Sequence, residues 1–442
     1  MQVSTFKGGI HPPDYKELSE NRPIEEIWPD KGSHLIFPVV QHIGAPCSII
    51  VEKVERVLVG QKLADCDAYV SSPIHSSISG TVIDIRKVRP PEGPECNAVV
   101  IENDDLHEEH PDLNASFDYT KMTNKEIVSL VKDAGIVGLG GACFPTHVKL
   151  DVPEGKQILH LVVNGAECEP FLTTDYRIML EKGEELIKGL QVILHMHPEA
   201  IAHICIEDNK VQAINKLTEL TKEIPNIKVV PLETKYPQGA EKQLIKACLD
   251  LEVPRGGLPL SIGVCVINVS TAISIYRKFH LGRPLMHRII TITGDAVAQP
   301  GNYQVRLGMT YNDLLDKIGG FSKQAYKLIA GGPMMGKAMY DLDIPIAKGS
   351  SALIALSKET GTIPQEGTCI KCGTCVNYCP AGLLPITLND FARGAHNELF
   401  VDYSGLDCME CGACTFVCPA KLQLSQTIRT KKKEALAKRK NK

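Results

Sequence analysis

Eight cysteines in the last quarter of the chain form two copies of one spaced motif. The copies are Cys369-x2-Cys372-x2-Cys375-x3-Cys379, followed by Pro380, and Cys408-x2-Cys411-x2-Cys414-x3-Cys418, followed by Pro419. Three thiolates at this spacing can bind three corners of a cuboidal iron–sulfur cluster from one short loop. The fourth thiolate, next to the proline, points away and binds the other cluster. The spacing therefore predicts two [4Fe–4S] clusters.

This crossed arrangement assigns three ligands of each cluster to one motif and the fourth to the other. Cluster one is predicted on Cys369, Cys372, Cys375 and Cys418, and cluster two on Cys408, Cys411, Cys414 and Cys379. Zinc is the competing interpretation, but a tetrahedral zinc site uses paired C-x2-C knuckles and has no use for a third cysteine at the same spacing. The segment resembles the bacterial two-cluster ferredoxin.

The remaining composition is typical of a soluble globular protein. Hydrophobic residues make up 43% and charged residues 23% of the 442 residues, a length that predicts three or four domains. The net charge of −4 gives no reason to expect nucleic acid as a partner. The chain has no apolar run of about 18 residues and no secretory signal, which predicts an intracellular protein without a membrane span of its own. Most of the eight scattered cysteines are predicted to be small buried hydrophobic side chains: Cys47, Cys66, Cys96, Cys143, Cys168, Cys205, Cys248 and Cys265.

Residues 35–105 are predicted to be all-β, with short apolar alternations separated by Gly, Pro, Ser and Asp turns. Residues 57–85 resemble the barrel-sandwich hammerhead of biotinyl and lipoyl carriers. Those carriers present a lysine at the hairpin tip, but residues 71–80 (SSPIHSSISG) contain none. The resemblance therefore implies the fold without the swinging arm, and a structural or docking role for it.

From about residue 120 to residue 285, predicted strands alternate with predicted helices. Thr123 is expected to cap a helix that stops at Gly135. Strands are predicted at 158–164, 200–207 and 227–233, and helices at 177–196 and 210–224. This alternation predicts a mostly parallel sheet with nucleotide-type sites at the strand ends.

A glycine-rich loop, GLGGACFPTHVK from Gly138 to Lys149, is a candidate phosphate site. Gly138, Gly140 and Gly141 allow the backbone to approach a phosphate with its N–H groups. The loop is neither a Walker loop nor G-x-G-x-x-G, and by itself a tight turn explains it equally well. Iron–sulfur clusters pass one electron at a time, so a two-electron partner would need a converter in this region.

Three further motifs follow the loop in order: NGAECEP at 164–170, YPQGAE at 236–241 and VINVST at 266–271. The ordered set resembles the FMN- and NADH-binding subunit of respiratory complex I and its hydrogenase relatives. The resemblance covers about residues 120–356, including a small α+β unit at 286–356 that is similar to the soluble-ligand-binding β-grasp (SLBB) unit.

Carried over motif by motif, the resemblance implies FMN contacts and an NADH side of the site. The flavin contacts would be Gly138, Gly140, Gly141, Lys149, Asn164, Gly239, Asn268 and Thr271, and the NADH contacts Phe144, Glu167, Glu169 and Glu241. A surface or capping role is the alternative for Glu167 and Glu169. The chain departs from the family pattern at Ala166, Ala240, Gly257 and Ile267, which affects the NADH contacts more than flavin binding.

Over nearly its full length the chain resembles the C-subunit family of the Rnf electron-transport complex. The segments KGGIHPPDYK, GLGGACFPTHVKL, NGAECEPFLTTDYR and GGPMMG carry this resemblance together with both cysteine motifs. It implies a peripheral subunit on the cytoplasmic face of a bacterial membrane. The implied partners are integral membrane and ferredoxin-like subunits and NAD(H), in a complex that couples electron flow between ferredoxin and NAD to Na⁺ or H⁺ movement.

The predicted fold class is a multidomain α/β and α+β protein. The predicted domains are a barrel-sandwich at 1–115, a complex-I-type FMN/NADH domain at 116–285, an SLBB-like β-grasp at 286–356, a two-cluster ferredoxin module at 357–425 and a basic tail at 426–442. The tail is either a solvated helix end or a docking segment for acidic lipid or protein. Two alternative functions remain: a soluble diaphorase subunit, and an electron-relay subunit without a working nucleotide site.

Overall fold

A computed structural model describes residues 3–90 and 95–440 of the chain, and the side chains of all of these except residue 440. Three short segments lie outside the described residues: 1–2, 91–94 and 441–442. The first two belong to the predicted first domain and the third to the predicted basic tail. Within the described ranges the elements form a barrel-sandwich, a parallel α/β sheet, a mixed β-grasp sheet and a cysteine-rich helical unit.

Two small antiparallel sheets form the barrel-sandwich, as the alternating sequence predicts. Its core consists of alternating inward side chains such as Leu35, Val57, Leu63 and Ile78. The two sheets have the orders β2-β8-β7-β4 and β3-β5-β6. The strands of this part of the chain are β1 (Ile24–Ile27), β2 (His34–Pro38), β3 (Ser48–Ile49), β4 (Arg56–Val57), β5 (Lys62–Asp65), β6 (Ile74–His75), β7 (Gly80–Val88) and β8 (Cys96–Asn103).

The lysine-free hairpin, residues 71–80, is buried along its whole length. A fully buried lysine from the β-grasp unit, Lys348, donates hydrogen bonds from Nζ to the carbonyls of Pro73 at 2.6 Å and Gly135 at 2.7 Å. Burial lowers the pKa of Lys348 to about 8. The hairpin is therefore a packing surface where three parts of the molecule meet.

The α/β unit contains a four-stranded parallel sheet with the order β11-β10-β9-β12. The predicted cap of the first helix is confirmed, since Thr123 and Glu126 form a reciprocal capping box. The elements are α1 (Asn124–Asp133), α2 (Thr146–Leu150), β9 (His160–Gly165), α3 (Thr174–Glu181), α4 (Gly183–Met196), β10 (Ile201–Glu207), α5 (Val211–Thr221), β11 (Ile227–Leu232), α6 (Glu241–Leu249), β12 (Val264–Asn268) and α7 (Val269–Leu281).

The single helix predicted at 177–196 is wrong, because the structure has two helices, α3 and α4, that meet at Lys182. Lys182 has non-helical backbone angles, φ −123° and ψ 26°. Gly183 follows, and a Cβ at that position would lie 2.9 Å from the Leu220 side chain. Helix α5, which contains Leu220, approaches the bend closely, and hydrophobic periodicity alone does not reveal this contact.

The β-grasp unit is a mixed six-stranded sheet with the order β1-β14-β13-β17-β15-β16. Its first strand comes from the N-terminal part of the chain, since β1 pairs in parallel with β14 from Ile24↔Asn302 to Ile27↔Val305. β1 therefore lies outside the two barrel-sandwich sheets. The elements are β13 (His287–Thr293), β14 (Gly301–Arg306), α8 (Tyr311–Lys317), β15 (Lys327–Ala330), β16 (Lys337–Met339), β17 (Ala352–Leu356) and α9 (Lys358–Gly361).

The cysteine-rich unit consists of two similar loops, each followed by a short helix, and a longer C-terminal helix. Ile428 packs with Leu388 and Phe400, and Lys432 donates to the Cys408 carbonyl at 2.7 Å. The first half of the predicted basic tail is thus part of the packed unit. The helices are α10 (Thr374–Asn377), α11 (Pro385–Arg393), α12 (Asn397–Asp402), α13 (Ala413–Phe416) and α14 (Leu424–Lys440).

Among the helices in the described ranges, none combines the length and the apolar character that crossing a bilayer requires.

Candidate redox site

The predicted site lies at the carboxyl edge of the parallel sheet, where the strand order reverses between β9 and β12. Open α/β sheets bind ligands at such a switch point. Asn164 and Asn268 end these two strands and are paired in register. Asn268 also caps α7, because its Oδ1 accepts from the Ser270 N–H at 2.8 Å. One asparagine thus joins the sheet edge to the N-terminus of a 13-residue helix.

The glycine-rich loop lies over this helix N-terminus. The Leu139 N–H donates to Thr271 Oγ1 at 3.0 Å, and the Gly138 N–H donates to the Phe144 carbonyl at 2.9 Å. A Cβ on Gly140 would lie 2.8 Å from Asn268 Nδ2, whereas a Cβ on Gly141 would meet nothing within 4 Å. The loop is therefore packed at Gly140 and open at Gly141. A glycine-rich backbone beside a helix N-terminus fits the phosphate of a flavin nucleotide.

Lys149 and the YPQGAE motif reach the same edge. Lys149 Nζ lies 3.2 Å from Glu241 Oε1 and donates to the Val266 carbonyl at 3.0 Å. Asn164 Nδ2 donates to the Gly239 carbonyl at 2.9 Å. Four separate sequence motifs are brought together by these contacts. Half-buried Phe144 lies at the end of the glycine loop.

Two of the three predicted NADH-side glutamates, Glu167 and Glu169, make internal hydrogen bonds. Glu167 accepts from the N–H groups of Asp175 at 2.8 Å and Tyr176 at 3.4 Å, in the first turn of α3. Its carboxylate also lies 3.8 Å from Lys16 Nζ. This is the capping geometry that the sequence left open as the alternative for Glu167. A direct NADH contact of this carboxylate stays a prediction.

Glu169 connects the NGAECEP motif to the β-grasp unit. Its carboxylate accepts from the N–H groups of Met334 at 3.0 Å and Met335 at 2.9 Å, within the GGPMMG segment. Burial raises the pKa of Glu169 to about 7. A Cβ on Gly332 would lie 2.2 Å from its Oε2, so only glycine fits beside this carboxylate.

Asp175 is a site residue that the sequence analysis missed. Its carboxylate accepts from Asn268 Nδ2 at 2.7 Å and from Ser270 Oγ at 3.4 Å. Burial, and then the nearby charge of Glu167, raise its pKa to about 7. Its position in the quoted NGAECEPFLTTDYR segment was the available signal. Only the fold reveals that it holds Asn268, about ninety residues further along the chain.

Asp175→Asn is expected to flatten the dependence of stability on pH. Because the folded chain raises the pKa of Asp175 from 3.8 to about 7, its ionisation destabilises the fold as the pH rises through that interval. The asparagine does not ionise and its Oδ1 can still accept from Asn268. The thermal unfolding midpoint should fall between about pH 5.5 and about pH 7.5 in the wild type, and it should fall less in the variant. The difference between the two proteins should correspond to about 1–2 kcal/mol in the free energy of unfolding. Exposed Asp67→Asn is the control, and equal slopes for wild type and Asp175→Asn would contradict the assignment.

The motif cysteines lie in two crossed groups. Cys379, from the first motif, lines one cavity together with Cys408, Cys411 and Cys414 from the second. Burial raises the pKa of the Cys414 thiol to about 12, and its neighbours Cys411, Cys408 and Cys379 add to the shift. Four thiols around one cavity fit a cuboidal cluster.

The second group has the reverse composition. Cys418, from the second motif, packs against Cys369 and Cys375. Burial raises the pKa of the Cys375 thiol, and Cys372 and Cys418 contribute to the rise. The cysteines are thus grouped in space as the crossed assignment expects, and their ligation of clusters two and one stays a prediction.

Cluster two's loops pack on the α/β and β-grasp units. Tyr236, which is 1% exposed, donates from its hydroxyl to the Cys411 carbonyl at 2.6 Å. Gln243 Nε2 donates to the Pro380 carbonyl at 3.1 Å. A Cβ on Gly412 would lie 3.1 Å from the Met334 carbonyl. In contrast, Cys372 of cluster one is exposed.

Four family models match successive parts of the chain. They are the RnfC Barrel sandwich hybrid domain at residues 4–106, the Nuo51 FMN-binding domain at 131–277, the SLBB domain at 289–338 and the 4Fe-4S dicluster domain at 368–422.

Curated relatives match over almost the whole length. The C subunit of the proton-translocating ferredoxin:NAD(+) oxidoreductase complex of Clostridium ljungdahlii is 45% identical over 437 residues, which cover 98% of this chain and 94% of the relative. The corresponding subunit of the Na(+)-translocating complex of Acetobacterium woodii is 42% identical over 439 residues, 99% of each chain. The chain belongs to the RnfC family of ferredoxin:NAD(+) oxidoreductase C subunits.

A solved structure shares the fold of part of this RnfC-family chain. An air-oxidized NAD⁺-reducing [NiFe]-hydrogenase chain superposes with a TM-score of 0.50 at 17% identity, covering 66% of this chain and 55% of the other. The RnfC-family chain thus combines a barrel-sandwich with an FMN-binding domain, an SLBB domain and a dicluster domain. Its cofactors are FMN and two [4Fe–4S] clusters.

Proposed function

We propose that this chain is the NAD(H)-reacting subunit of an ion-translocating ferredoxin:NAD oxidoreductase, and that it passes electrons between NAD(H), FMN and two [4Fe–4S] clusters. The observation that carries the proposal is the packing of cluster two's loop on the YPQGAE motif. The Tyr236 hydroxyl of that motif donates a hydrogen bond to the Cys411 carbonyl. An electron needs such a short route between a nucleotide site and a cluster.

The residues of the site bind and orient rather than transfer protons. When bound, FMN supplies hydride exchange with the nicotinamide and single-electron exchange with a cluster. The glycine loop and the N-terminus of α7 would hold its phosphate, and Asn164 and Asn268 would contact it from the strand ends. Lys149, paired with Glu241, offers a positive charge at the mouth of the site. No side chain is needed as a general acid or base.

The two clusters differ in surroundings, and this supports an order of electron transfer. Cluster two's ligands lie against the α/β unit, whereas the loop of cluster one presents exposed Cys372 and Ile370, the latter 69% exposed. We therefore place cluster two next to the flavin and cluster one at the exit to the partner.

The finer partners follow from family membership. The relatives are subunits of complexes that, by name, translocate protons in one case and Na(+) in the other. We propose that this chain is a peripheral subunit on the cytoplasmic side of a bacterial membrane and that integral membrane and ferredoxin-like subunits are its partners. The exposed loop of cluster one supports a protein partner there. Co-purification with those subunits, lost on mild alkaline or high-salt washing of membranes, would support the peripheral assignment.

The deciding experiment uses anaerobically purified full-length chain. Iron, sulfide and flavin are quantified, and NADH is then added in the same cuvette. We expect about eight irons and one flavin per chain, with bleaching of the flavin absorbance followed by cluster reduction. Stoichiometric zinc, or about four irons, would contradict the cluster assignment.

A relay subunit without a working nucleotide site is the second candidate. The observation that favours it is the internal use of Glu167 and Glu169, whose carboxylates bind backbone N–H groups of the chain itself. The same titration separates the two functions. Tightly bound flavin that does not respond to NADH, together with clusters that are reduced by dithionite, would establish the relay.

A further inference from the structure

Residues 4–20, which contain the KGGIHPPDYK segment, form an extended strap along the carboxyl edge of the parallel sheet. We call this segment the N-terminal strap. Ser4 forms a parallel bridge with Leu232 at the end of β11, and Ile10 pairs with Tyr236 through two backbone hydrogen bonds of 2.8 Å. The strap therefore lies directly on the YPQGAE motif of the flavin site.

The strap is anchored on both sides of that pairing by buried lysines. Lys235 Nζ donates to the Phe6 carbonyl at 2.6 Å and lies 4.3 Å from the centre of the Phe6 ring. Lys16 Nζ donates to the carbonyls of Glu167 at 2.5 Å and Leu172 at 2.6 Å. Two buried charges whose hydrogen bonds cross between segments make the path of the strap specific.

Between these anchors the strap touches a ligand of cluster two. The Gly9 N–H donates to the Tyr378 carbonyl at 3.1 Å. Gly8 has φ +82°, and a Cβ there would lie 2.9 Å from the Cys379 carbonyl and 3.2 Å from Pro380 Cα. A Cβ on Gly9, also at φ +82°, would lie 2.8 Å from the Tyr236 carbonyl. The glycine pair thus brings the backbone of the strap against both the Cys379 loop and the Tyr236 segment.

We propose that the N-terminal strap is a positioning element that holds the Cys379 loop against the YPQGAE motif, and so sets the rate of electron transfer between the flavin and cluster two. Cys379 is the one ligand of cluster two supplied by the other cysteine motif, so its loop needs its own support. The glycines allow backbone-to-backbone contact on both faces of the strap. The inference rests on the proposed function, and it assigns a role to a segment outside the nucleotide and cluster ligands.

The test compares Gly8→Val with Gly32→Val in the full-length holoprotein. Gly32 has nearly the same backbone conformation, φ +78°, but nothing lies within 4 Å of a Cβ there, so it reproduces the local strain without the contact. Hydrogen–deuterium exchange of residues 4–20 and 376–384 measures whether the strap has loosened. Stopped-flow absorbance after NADH addition measures flavin bleaching and cluster reduction separately.

We expect Gly8→Val to exchange faster in both segments, to keep its flavin and iron, and to bleach its flavin at the wild-type rate. Cluster reduction should be several-fold slower, because the rate of electron transfer falls steeply as the distance between two redox centres increases. Gly32→Val should match wild type in all four measurements. Faster exchange with unchanged cluster reduction would overturn the proposal.

Phe6→Ala is a second variant that should loosen the strap, and it is used if Gly8→Val loses iron. The substitution removes the ring that packs on Lys235 and leaves the Gly8 contact with Cys379 unsubstituted. We expect faster exchange of the strap and slower cluster reduction at full iron content, and unchanged cluster reduction would overturn the strap's role. A wild-type chain whose flavin does not bleach with NADH would contradict the proposed function instead, since that result does not involve the strap.

Discussion

Cys379→Ala is expected to abolish cluster two and leave cluster one intact, although Cys379 belongs to the first motif. The reason is that its thiol lies with Cys408, Cys411 and Cys414 around one cavity. Iron content should fall from about eight to about four per chain. The remaining cluster should still be reduced by dithionite. NADH should no longer reduce it at the wild-type rate, because the proposed electron route runs from the flavin through cluster two.

The reciprocal variants identify which cluster is lost. Cys418→Ala should have the electron paramagnetic resonance spectrum of Cys372→Ala, because these two cysteines belong to the same set of four neighbouring cysteines. For the same reason, Cys379→Ala should have the spectrum of Cys411→Ala. Conversion to alanine removes the ligand without introducing a new oxygen donor. A Cys379→Ala spectrum that matches Cys372→Ala would refute the crossed assignment.

Gly140→Val is expected to abolish flavin retention while both clusters remain. A Cβ at this position would lie 2.8 Å from Asn268 Nδ2, and the two further methyl groups of valine must displace that side chain. Asn268 also caps α7 and is held by Asp175, so the displacement would disturb the strand end and the helix N-terminus together. Flavin per chain, measured with iron in the same sample, should fall at least about tenfold.

Gly141→Val separates a packing effect from occupation of the flavin site. Because a Cβ on Gly141 meets nothing within 4 Å, the fold itself should tolerate the substitution. Loss of flavin from this variant, with thermal stability unchanged, would indicate that the open space beside Gly141 is where the nucleotide lies. Normal flavin content in both glycine variants would exclude the loop from the site.

The two expected losses differ in their effect on the electron route. Removing the flavin should leave two clusters that NADH cannot reach, whereas removing cluster two should leave a flavin that still bleaches. The packing of Tyr236 on the Cys411 carbonyl is the contact at which these two halves of the route meet. Measuring both variants with the same NADH pulse therefore tests the order of the centres.

Local patterns were enough to predict most elements of this fold. The capping box at Thr123, the strand predicted at 158–164 and the alternating strands of the barrel-sandwich all depend on neighbours within a few residues. The ligand exchange between cysteine motifs was also predictable, because the geometry of a cubic cluster restricts which thiolates of one loop can bind it. The four classes of domain followed from motif order.

What the sequence could not decide were the contacts between residues far apart in the chain. Four such contacts join residues more than about ninety positions apart. They are Asp175 with Asn268, Glu169 with the GGPMMG segment, β1 with β14, and Gly8 with Cys379. The sequence of a motif is the same whether its carboxylate contacts a substrate or caps a helix. The two roles differ only in which residues the fold places next to the carboxylate. The sequence by itself determined the cofactor chemistry and the kinds of domain, because ligand spacing and periodicity are local. Only the tertiary structure decided which motif carboxylates make internal hydrogen bonds and which cysteine loop packs on Tyr236, because burial and long-range packing arise only in the folded chain.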